Sequence, residues 1–349
     1  MKNNGTCTTA EIPGGAATPS LLIMSMSGHD PTASTAGNYR AFAAEAHGRS
    51  PQYEELARRV AADQLVLRFL GTLPVAKRQP NLLFAVARYL LGAPADITAL
   101  RSLVRDKGGE LAAGMRARRT QTNEAARCAT LLPALALLPQ PVALLEVGAS
   151  AGLTLLPDRY SYDYNGRRLT GTDAAAPVLA CDASGPVPLP TEVPEVSWRA
   201  GLDLNPLDVT SDADVRWLQC LLWPGETGRE ERLAAAVETA RRSPPPVYRG
   251  DLLADVPRLA AQAPPGATLV IFHSAVLAYL SVPQRARFAA TVAALNAVWL
   301  SNEAPGILPG IVPDGAASAR DAHSFVLVRD GGTPLAVTDG HGTWLDWLG

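Results

Sequence analysis

Glu146, Gly148, Ser150 and Gly152 stand at alternate positions in the run Leu144-Leu145-Glu146-Val147-Gly148-Ala149-Ser150-Ala151-Gly152-Leu153. The apolar residues in front read as a strand, the small residues as a tight turn, and the apolar residues behind as the start of a helix. A glycine turn lets the backbone approach a ligand where any Cβ would clash. A helix N-terminus behind it offers free N–H groups. With a phosphate bound there, such a turn is a dinucleotide site. Glu146 argues otherwise. A carboxylate at the end of the strand repels a pyrophosphate and suits an ammonium or a hydroxyl. That tilts the reading from a nicotinamide dinucleotide towards S-adenosylmethionine, whose amino-acid end carries an ammonium. The alternative is a plain strand-to-helix turn with no ligand.

Downstream, polar residues recur where apolar runs end. Trp198-Arg199-Ala200-Gly201-Leu202-Asp203-Leu204-Asn205-Pro206 reads as a strand finishing in Asp203, a carboxylate suited to ribose hydroxyls, with Asn205 beside it. Val247-Tyr248-Arg249-Gly250-Asp251-Leu252 brings Asp251 and Leu252 to where an adenine amino group would be met. His273 and Ser274 follow the run 268–272, and Ser301, Asn302 and Glu303 follow the run 298–300. His273 is the candidate general base, because imidazole titrates near neutral pH. Glu303 is its candidate helper, and Ser274 and Asn302 are placed to orient a substrate amine or hydroxyl. The competing readings are a hydrogen-bonded structural histidine and a capped turn before Pro305.

These residues need a frame that gathers strand ends. In open α/β sheets, ligands bind at the C-terminal ends of parallel strands. The stretches Val142–Val147, 268–272 and 297–300 are apolar runs separated by helical text, the pattern of a parallel sheet covered on both faces. Ser324–Arg329 and 335–338, parted by Asp330-Gly331-Gly332, read as an antiparallel hairpin. Ser281 and Gln284 form a capping box for a helix with Phe288, Val292 and Leu295 on one face. The segment 157–196 is dense in Pro, Gly and Asp and reads as an insertion with a hairpin from 159 to 180. Tyr160, Tyr162 and Tyr164 alternate within it, either as one face of that hairpin or as the lining of a substrate entrance.

Ahead of the sheet, residues 38–138 are helical in pattern. Ser50-Pro51 caps one helix, while Pro80 opens and Gly92 closes another. Asn123 is placed to cap the helix carrying Ala126, Cys128 and Leu131, which Pro133 kinks or ends. Asn123 and Glu124 either fold over a bound molecule or serve only as cap and first-turn acid. Arg116, Arg118 and Arg119 read as a solvated helix face. His341, Trp344 and Trp347 lie near the C-terminus, the tryptophans as packing. The chain thus divides into a flexible tail (1–34), an all-helical cap or lid (35–139), and a Rossmann-like α/β domain with a mostly parallel sheet (140–349).

Composition narrows the function classes. Across 349 residues, 47% are hydrophobic and 18% charged, which is ample for a core. With 31 basic and 33 acidic residues the net charge is −2, so there is no global electrostatic case for nucleic acid or an anionic membrane. Cys7, Cys128, Cys181 and Cys220 are widely spaced and include no CxxC pair, which implies neither a metal site nor a disulfide framework. A reduced, cytoplasmic compartment follows. No apolar run reaches the roughly 18–20 residues of a membrane span. The apolar stretch at 19–26 lacks the flanks of a signal peptide.

The order of these features resembles class I S-adenosylmethionine-dependent methyltransferases over residues 140–345. The resemblance implies that Glu146, Gly148, Ser150 and Gly152 hold the methionine moiety. Asp203, with Asn205, would hold the ribose, and Asp251 with Leu252 the adenine. It further implies methyl transfer to a small-molecule acceptor by in-line displacement, with catalysis mostly from positioning. In most members the ribose acid lies about 20 residues after the first motif. Here Asp203 is much further on, so 157–196 must loop out or Asp163 is the ribose ligand. The chain is also similar to a bacterial family labelled only as a domain of unknown function. That likeness rests on Gln121-Thr122-Asn123-Glu124, the glycine motif, Gly201-Leu202-Asp203-Leu204-Asn205-Pro206, Phe272-His273-Ser274-Ala275-Val276-Leu277 and Ser301-Asn302-Glu303-Ala304-Pro305-Gly306. It implies the fold and names no substrate. The alternative function is a non-methylating protein on the same fold, either a cofactor-binding sensor or scaffold or a repurposed enzyme, with a nicotinamide-dependent reductase third. The acceptor, the methylated atom and the oligomeric state, a homodimer among the options, are not written in the sequence.

Overall fold

The computed structural model describes residues 31–121, 123–308 and 324–349. The expected tail falls outside them up to residue 30, and Pro31 already opens the first helix.

The N-terminal region is helical: α1 (Pro31–Ala46), α2 (Pro51–Ala62), α3 (Gln64–Gly71), α4 (Pro80–Leu91), α5 (Ile97–Ala117) and α6 (Arg127–Ala136). Local chemistry sets the boundaries. The Ser50 side chain accepts from Tyr53 N at the start of α2, Asp63 caps α3 and Asp96 caps α5, each such cap being worth about 1 kcal/mol. Gly92 closes α4 at φ 81°, a left-handed conformation that glycine takes without strain.

Helix α6 departs from expectation twice. Its N-cap is Ala126, with no side-chain cap, because Asn123 turns away to accept from Leu153 N at 2.9 Å. Pro133 neither ends nor interrupts the helix, which runs on to Ala136. A proline here leaves the carbonyl of Ala129, four residues back, without its helical donor. The Tyr164 hydroxyl supplies one at 2.6 Å.

The rest of the chain is built on two sheets. Its elements are β1 (Val142–Val147), β2 (Ser161–Tyr164), β3 (Arg167–Leu169), β4 (Val178–Ala180), β5 (Asp182–Ser184), β6 (Val196–Asp203), α7 (Asp212–Leu221), α8 (Thr227–Arg242), β7 (Val247–Arg249), α9 (Leu252–Ala260), β8 (Thr268–Ser274), α10 (Val282–Ala293), β9 (Val298–Glu303), β10 (Ser324–Arg329), β11 (Thr333–Asp339) and β12 (Trp344–Trp347). A nine-stranded sheet runs β5-β12-β11-β10-β9-β8-β1-β6-β7, and a three-stranded one runs β3-β2-β4. Strands β7, β6, β1, β8 and β9 are parallel. Strands β10, β11 and β12 continue as an antiparallel meander, and β5 lies parallel on its outer edge. The protein is therefore mixed α/β, with a large, mostly parallel sheet behind an all-helical N-terminal region.

Strand alternation divides the sheet between two cores. Leu145, Val147, Ala200, Leu202, Ile271 and Trp299 face α9 and α10, meeting Val256, Leu259, Phe288 and Val292. Val142, Leu144, Val270, Phe272 and Leu300 face the other way, into a core shared with the N-terminal helices, α7 and α8. The cap and the sheet are thus one packed body on that face.

The glycine motif does not lead into an α-helix. Gly152 is followed by a single 3-10 turn, Leu153–Leu155. Pro157 cannot donate and restricts Leu156. The Tyr160 hydroxyl, rather than a helical N–H, takes the Leu153 carbonyl at 2.8 Å. The chain then leaves for β2 to β5 before returning as β6, so residues 157–196 do loop out between the first two parallel strands. The side chains of Tyr160, Tyr162 and Tyr164 are all buried, on one side of this insertion. Tyr160 is 0% exposed and lines no entrance.

Candidate functional site

The C-terminal ends of β1, β6, β8 and β9 collect the polar residues of the sheet. Register places Glu146 beside both Gly201 and Phe272, His273 beside Ser301, and Ser274 beside Asn302. Gly148, Ser150 and Gly152 have φ of 73°, 52° and 73°, so the turn after β1 winds through alternate left-handed residues. Its amides point across the sheet. Gly148 N donates to Leu202 O at 2.7 Å, and Ser150 N donates to Asp203 Oδ2 at 2.9 Å. A Cβ on Gly148 would lie 2.4 Å from Val276 Cγ2, so the glycine makes room for the loop after β8.

Asp203 is the acceptor at the tip of β6. Besides Ser150 N, it takes Asn205 N at 2.7 Å and the Gln121 carboxamide at 3.0 Å, both on Oδ1. Gln121 Nε2 also donates to Asn205 O at 2.8 Å, and Asn205 Nδ2 donates to Gln121 Oε1 at 3.2 Å. Gln121 lies in the connector between α5 and α6, which crosses the strand ends here. The same connector is fastened further along. Glu124 receives Arg229 Nε at 2.9 Å and Arg232 Nε at 2.7 Å. Burial pushes the Glu124 carboxyl up, but Arg232 and Arg229 outweigh that and hold it below the usual carboxylate range. Gln121, Arg229 and Arg232 were not singled out as site residues from sequence. Gln121 and Asp203 are 82 positions apart, and only the Gln-Thr-Asn-Glu motif hinted at the connector.

Glu146 is buried beside this region. Thr154 Oγ1 donates to its Oε1, while Oε2 has no partner among the described residues. Burial pushes the Glu146 carboxyl up to about 8, against the pull of Thr154 and Arg127. Arg127 is also buried, donating to Gly340 O at 2.9 Å and Ser274 O at 3.4 Å. Asn302 accepts from Thr338 Oγ1 at 2.8 Å and donates to Ser274 Oγ at 3.4 Å.

His273 and Glu303 are brought together, but on the opposite face and not at a substrate-facing position. His273 is 0% exposed and packs edge-on against Phe288. Trp299 Nε1 donates to His273 Nε2 at 3.0 Å, which leaves the proton on Nδ1, bonded to Glu303 Oε1 at 2.8 Å. Both ring nitrogens are engaged, so His273 is a structural histidine and not a free base. Glu303 Oε1 also receives Val276 N at 2.8 Å and Leu277 N at 2.9 Å. The pair therefore fixes the loop that packs on Gly148.

Asp251 is exposed and caps α9 by accepting from Leu253 N at 2.7 Å, with Leu252 the first residue of that helix. Asp163 lies in the small sheet, paired with Arg168 and bonded to Gly166 N, away from the β6 tip. A hollow between the connector and α7 and α8, lined by Gln121, Asn123, Glu124 and Leu218 among others, has a volume of about 10 Å³, the room of about one water. Among the described residues no group of His, Cys, Asp and Glu side chains is disposed to hold a metal ion. No helix there is long and apolar enough to cross a membrane.

A family model described as an uncharacterized protein conserved in bacteria (DUF2332) matches residues 36–347. The chain belongs to that family. The DUF2332 match runs through the helical region, the connector, the glycine turn and every strand of both sheets. No curated protein and no solved structure matches the chain.

Proposed function

We propose that the protein is an S-adenosylmethionine-dependent methyltransferase acting on a small-molecule acceptor by in-line displacement. The observation that carries this reading is Asp203, held at the tip of β6 by the glycine-turn amide of Ser150. The topology supports it. Numbered in chain order, the parallel strands β7-β6-β1-β8-β9 read 3-2-1-4-5, the doubly wound order, in which ligands bind where the order reverses. That point lies between β1 and β8, where Gly148 meets Val276.

The residues fit the cofactor chemically. Asp203 offers a carboxylate suited to a ribose diol once Gln121 withdraws, and the unpartnered Glu146 Oε2 would accept from an ammonium, whose charge favours ionisation of a carboxyl that burial otherwise pushes up to about 8. Asp251 and Leu252 stand at the next strand end for the adenine. The cofactor supplies an electrophilic methyl group on a sulfonium. The chain binds, orients and excludes water, and positioning carries the transfer. His273 and Glu303 hold the loop after β8 instead of moving a proton. The connector between α5 and α6 acts as the lid. The buried free thiols of Cys128, Cys181 and Cys220 support a reducing, cytoplasmic setting.

Titration calorimetry with S-adenosylmethionine and S-adenosylhomocysteine, with NADH as control, tests this. Micromolar binding of the first two that Asp203→Ala abolishes is the expected result; binding of NADH alone, or of none, would overturn it. The filled acceptor at Asp203 is what favours the second reading, a non-methylating protein on the same fold, either a cofactor-binding sensor or scaffold or a repurposed enzyme. Cofactor binding with no methyl transfer to any acceptor would favour that one.

A further inference from the structure

On the sheet face turned towards the N-terminal helices, the strands end in a row of polar side chains: Glu146 on β1, Ser274 on β8, Asn302 on β9 and Thr338 on β11. Arg127 reaches this row from the start of α6. Its Nη1 donates to Ser274 O at 3.4 Å and its Nε to Gly340 O at 2.9 Å. Thr338 Oγ1 donates to Asn302 Oδ1 at 2.8 Å, which turns the Asn302 amide nitrogen towards Ser274 Oγ, 3.4 Å away. Ser274 Oγ is thus an acceptor within the protein. Its own hydroxyl proton has no acceptor among the described residues.

Arg127 Nη2 is unpartnered in the same way. It makes no hydrogen bond, and the residue forms no ion pair, among the described residues, although Arg127 is only 8% exposed. The carboxylates around it are committed elsewhere. Glu124 is taken by Arg229 and Arg232, and Glu303 holds His273 and the loop after β8. A buried guanidinium with no counter-ion in contact is costly. Ser274 is half-buried, so this end of the row is open to a ligand. The backbone there is held under strain: Ala275 has φ 61°, and Glu303 fixes the next two amides.

We propose that Arg127 and Ser274 hold the carboxylate of a small-molecule ligand, which in the methyl-transfer reading is the acceptor, a small carboxylic acid. The free groups at β8 are donors, and donors beside a cation suit an oxyanion. They do not suit the amine or hydroxyl expected for Ser274 and Asn302 from sequence. A single guanidinium matches the one charge of a carboxylate and its planar shape. The free acceptor of the row, Glu146 Oε2, lies on β1, where Glu146 pairs with Phe272 rather than with Ser274.

The identity of the ligand as acceptor rests on the methyl-transfer reading, in which the cofactor's amino-acid end carries a carboxylate too. The test separates these sources. Benzoate and acetate are titrated calorimetrically into the full chain, with benzamide and acetamide as neutral controls, for wild type, Arg127→Met and Ser274→Ala. The acids are expected to bind wild type at least about tenfold more tightly than the amides. Affinity for the acids should fall about tenfold in Arg127→Met and about threefold in Ser274→Ala, in line with the loss of charge-assisted contacts. Ser274 is half-buried and its hydroxyl supports only the Asn302 amide, so Ser274→Ala keeps the fold and decides the matter even if Arg127→Met does not. The wild-type titration is repeated with saturating S-adenosylhomocysteine and with methylthioadenosine, which lacks the amino-acid end. Binding of the acids should be undiminished by both. Loss of that binding with S-adenosylhomocysteine alone gives the guanidinium to the cofactor and overturns the proposal. So does equal binding of acids and amides, no binding of either acid, or unchanged affinity in the variants. If neither nucleoside binds while the acids do, the methyl-transfer reading fails and the carboxylate seat stands.

Discussion

The Gln121 carboxamide lies 3.0 Å from Asp203 Oδ1 and 2.8 Å from the Asn205 carbonyl oxygen, donating to both. It occupies the acceptor that the proposed function assigns to a ribose hydroxyl, and it belongs to a connector tied down again at Glu124 by Arg229 and Arg232. The connector is therefore fastened over the end of β6, and moving it away breaks these bonds.

Gly148→Ala should destabilise the fold by about 1–3 kcal/mol, because the new methyl meets Val276 and the backbone sits at positive φ. Val276→Ala in the same chain should restore the steric part and leave the backbone part. Urea unfolding of the two single variants and the double variant gives the coupling. Strict additivity would show that the two residues do not share this contact.

Glu303→Ala removes the acceptor of His273 Nδ1, Val276 N and Leu277 N together. A loss of about 2–4 kcal/mol is expected from buried donors left unpaired. Hydrogen exchange should accelerate at the Val276 and Leu277 amides before it does in β1. Unchanged protection at those two amides would contradict the anchoring role.

How much of this was legible in the sequence depended on range. Strand β1 announced itself through an apolar run, and the β10–β11 hairpin through Asp330-Gly331, because both signals are local. The capping box at Ser281 and Gln284 was equally local. The 3-10 turn after Gly152 was not legible, since Leu153-Thr154-Leu155-Leu156 is acceptable helical text and only Pro157 and the distant Tyr160 hydroxyl turn it aside. His273 and Ser274 are adjacent in sequence, so alternation puts them on opposite faces. Which face is sealed is decided by Phe288 and Trp299, whose contacts are tertiary. Asp203 was readable as a strand-end carboxylate, whereas its partner Gln121 comes from a separate region of the chain.

Glu146 should make stability fall as pH rises. Its carboxyl titrates at about 8 in the folded chain against 4.5 ordinarily, so between those values the folded state holds a proton that the unfolded state releases. Stability contributed by the neutral carboxyl is intact below the lower value and is lost progressively up to the higher one. Glu146→Gln lacks this term. Relative to wild type it should gain roughly 2–5 kcal/mol between pH about 5 and about 9, measured by urea unfolding at both. Parallel pH profiles for the two proteins would show that Glu146 is charged in the folded state.

The most direct measurement is the calorimetric affinity for S-adenosylhomocysteine of wild type, Gln121→Ala and Asp203→Ala. If Gln121 covers a ribose acceptor, its removal spares the ligand the work of displacing it, and affinity should rise about tenfold. Asp203→Ala should abolish binding. Equal affinity in wild type and Gln121→Ala, or undiminished binding by Asp203→Ala, would contradict the assignment of this strand end as the cofactor site.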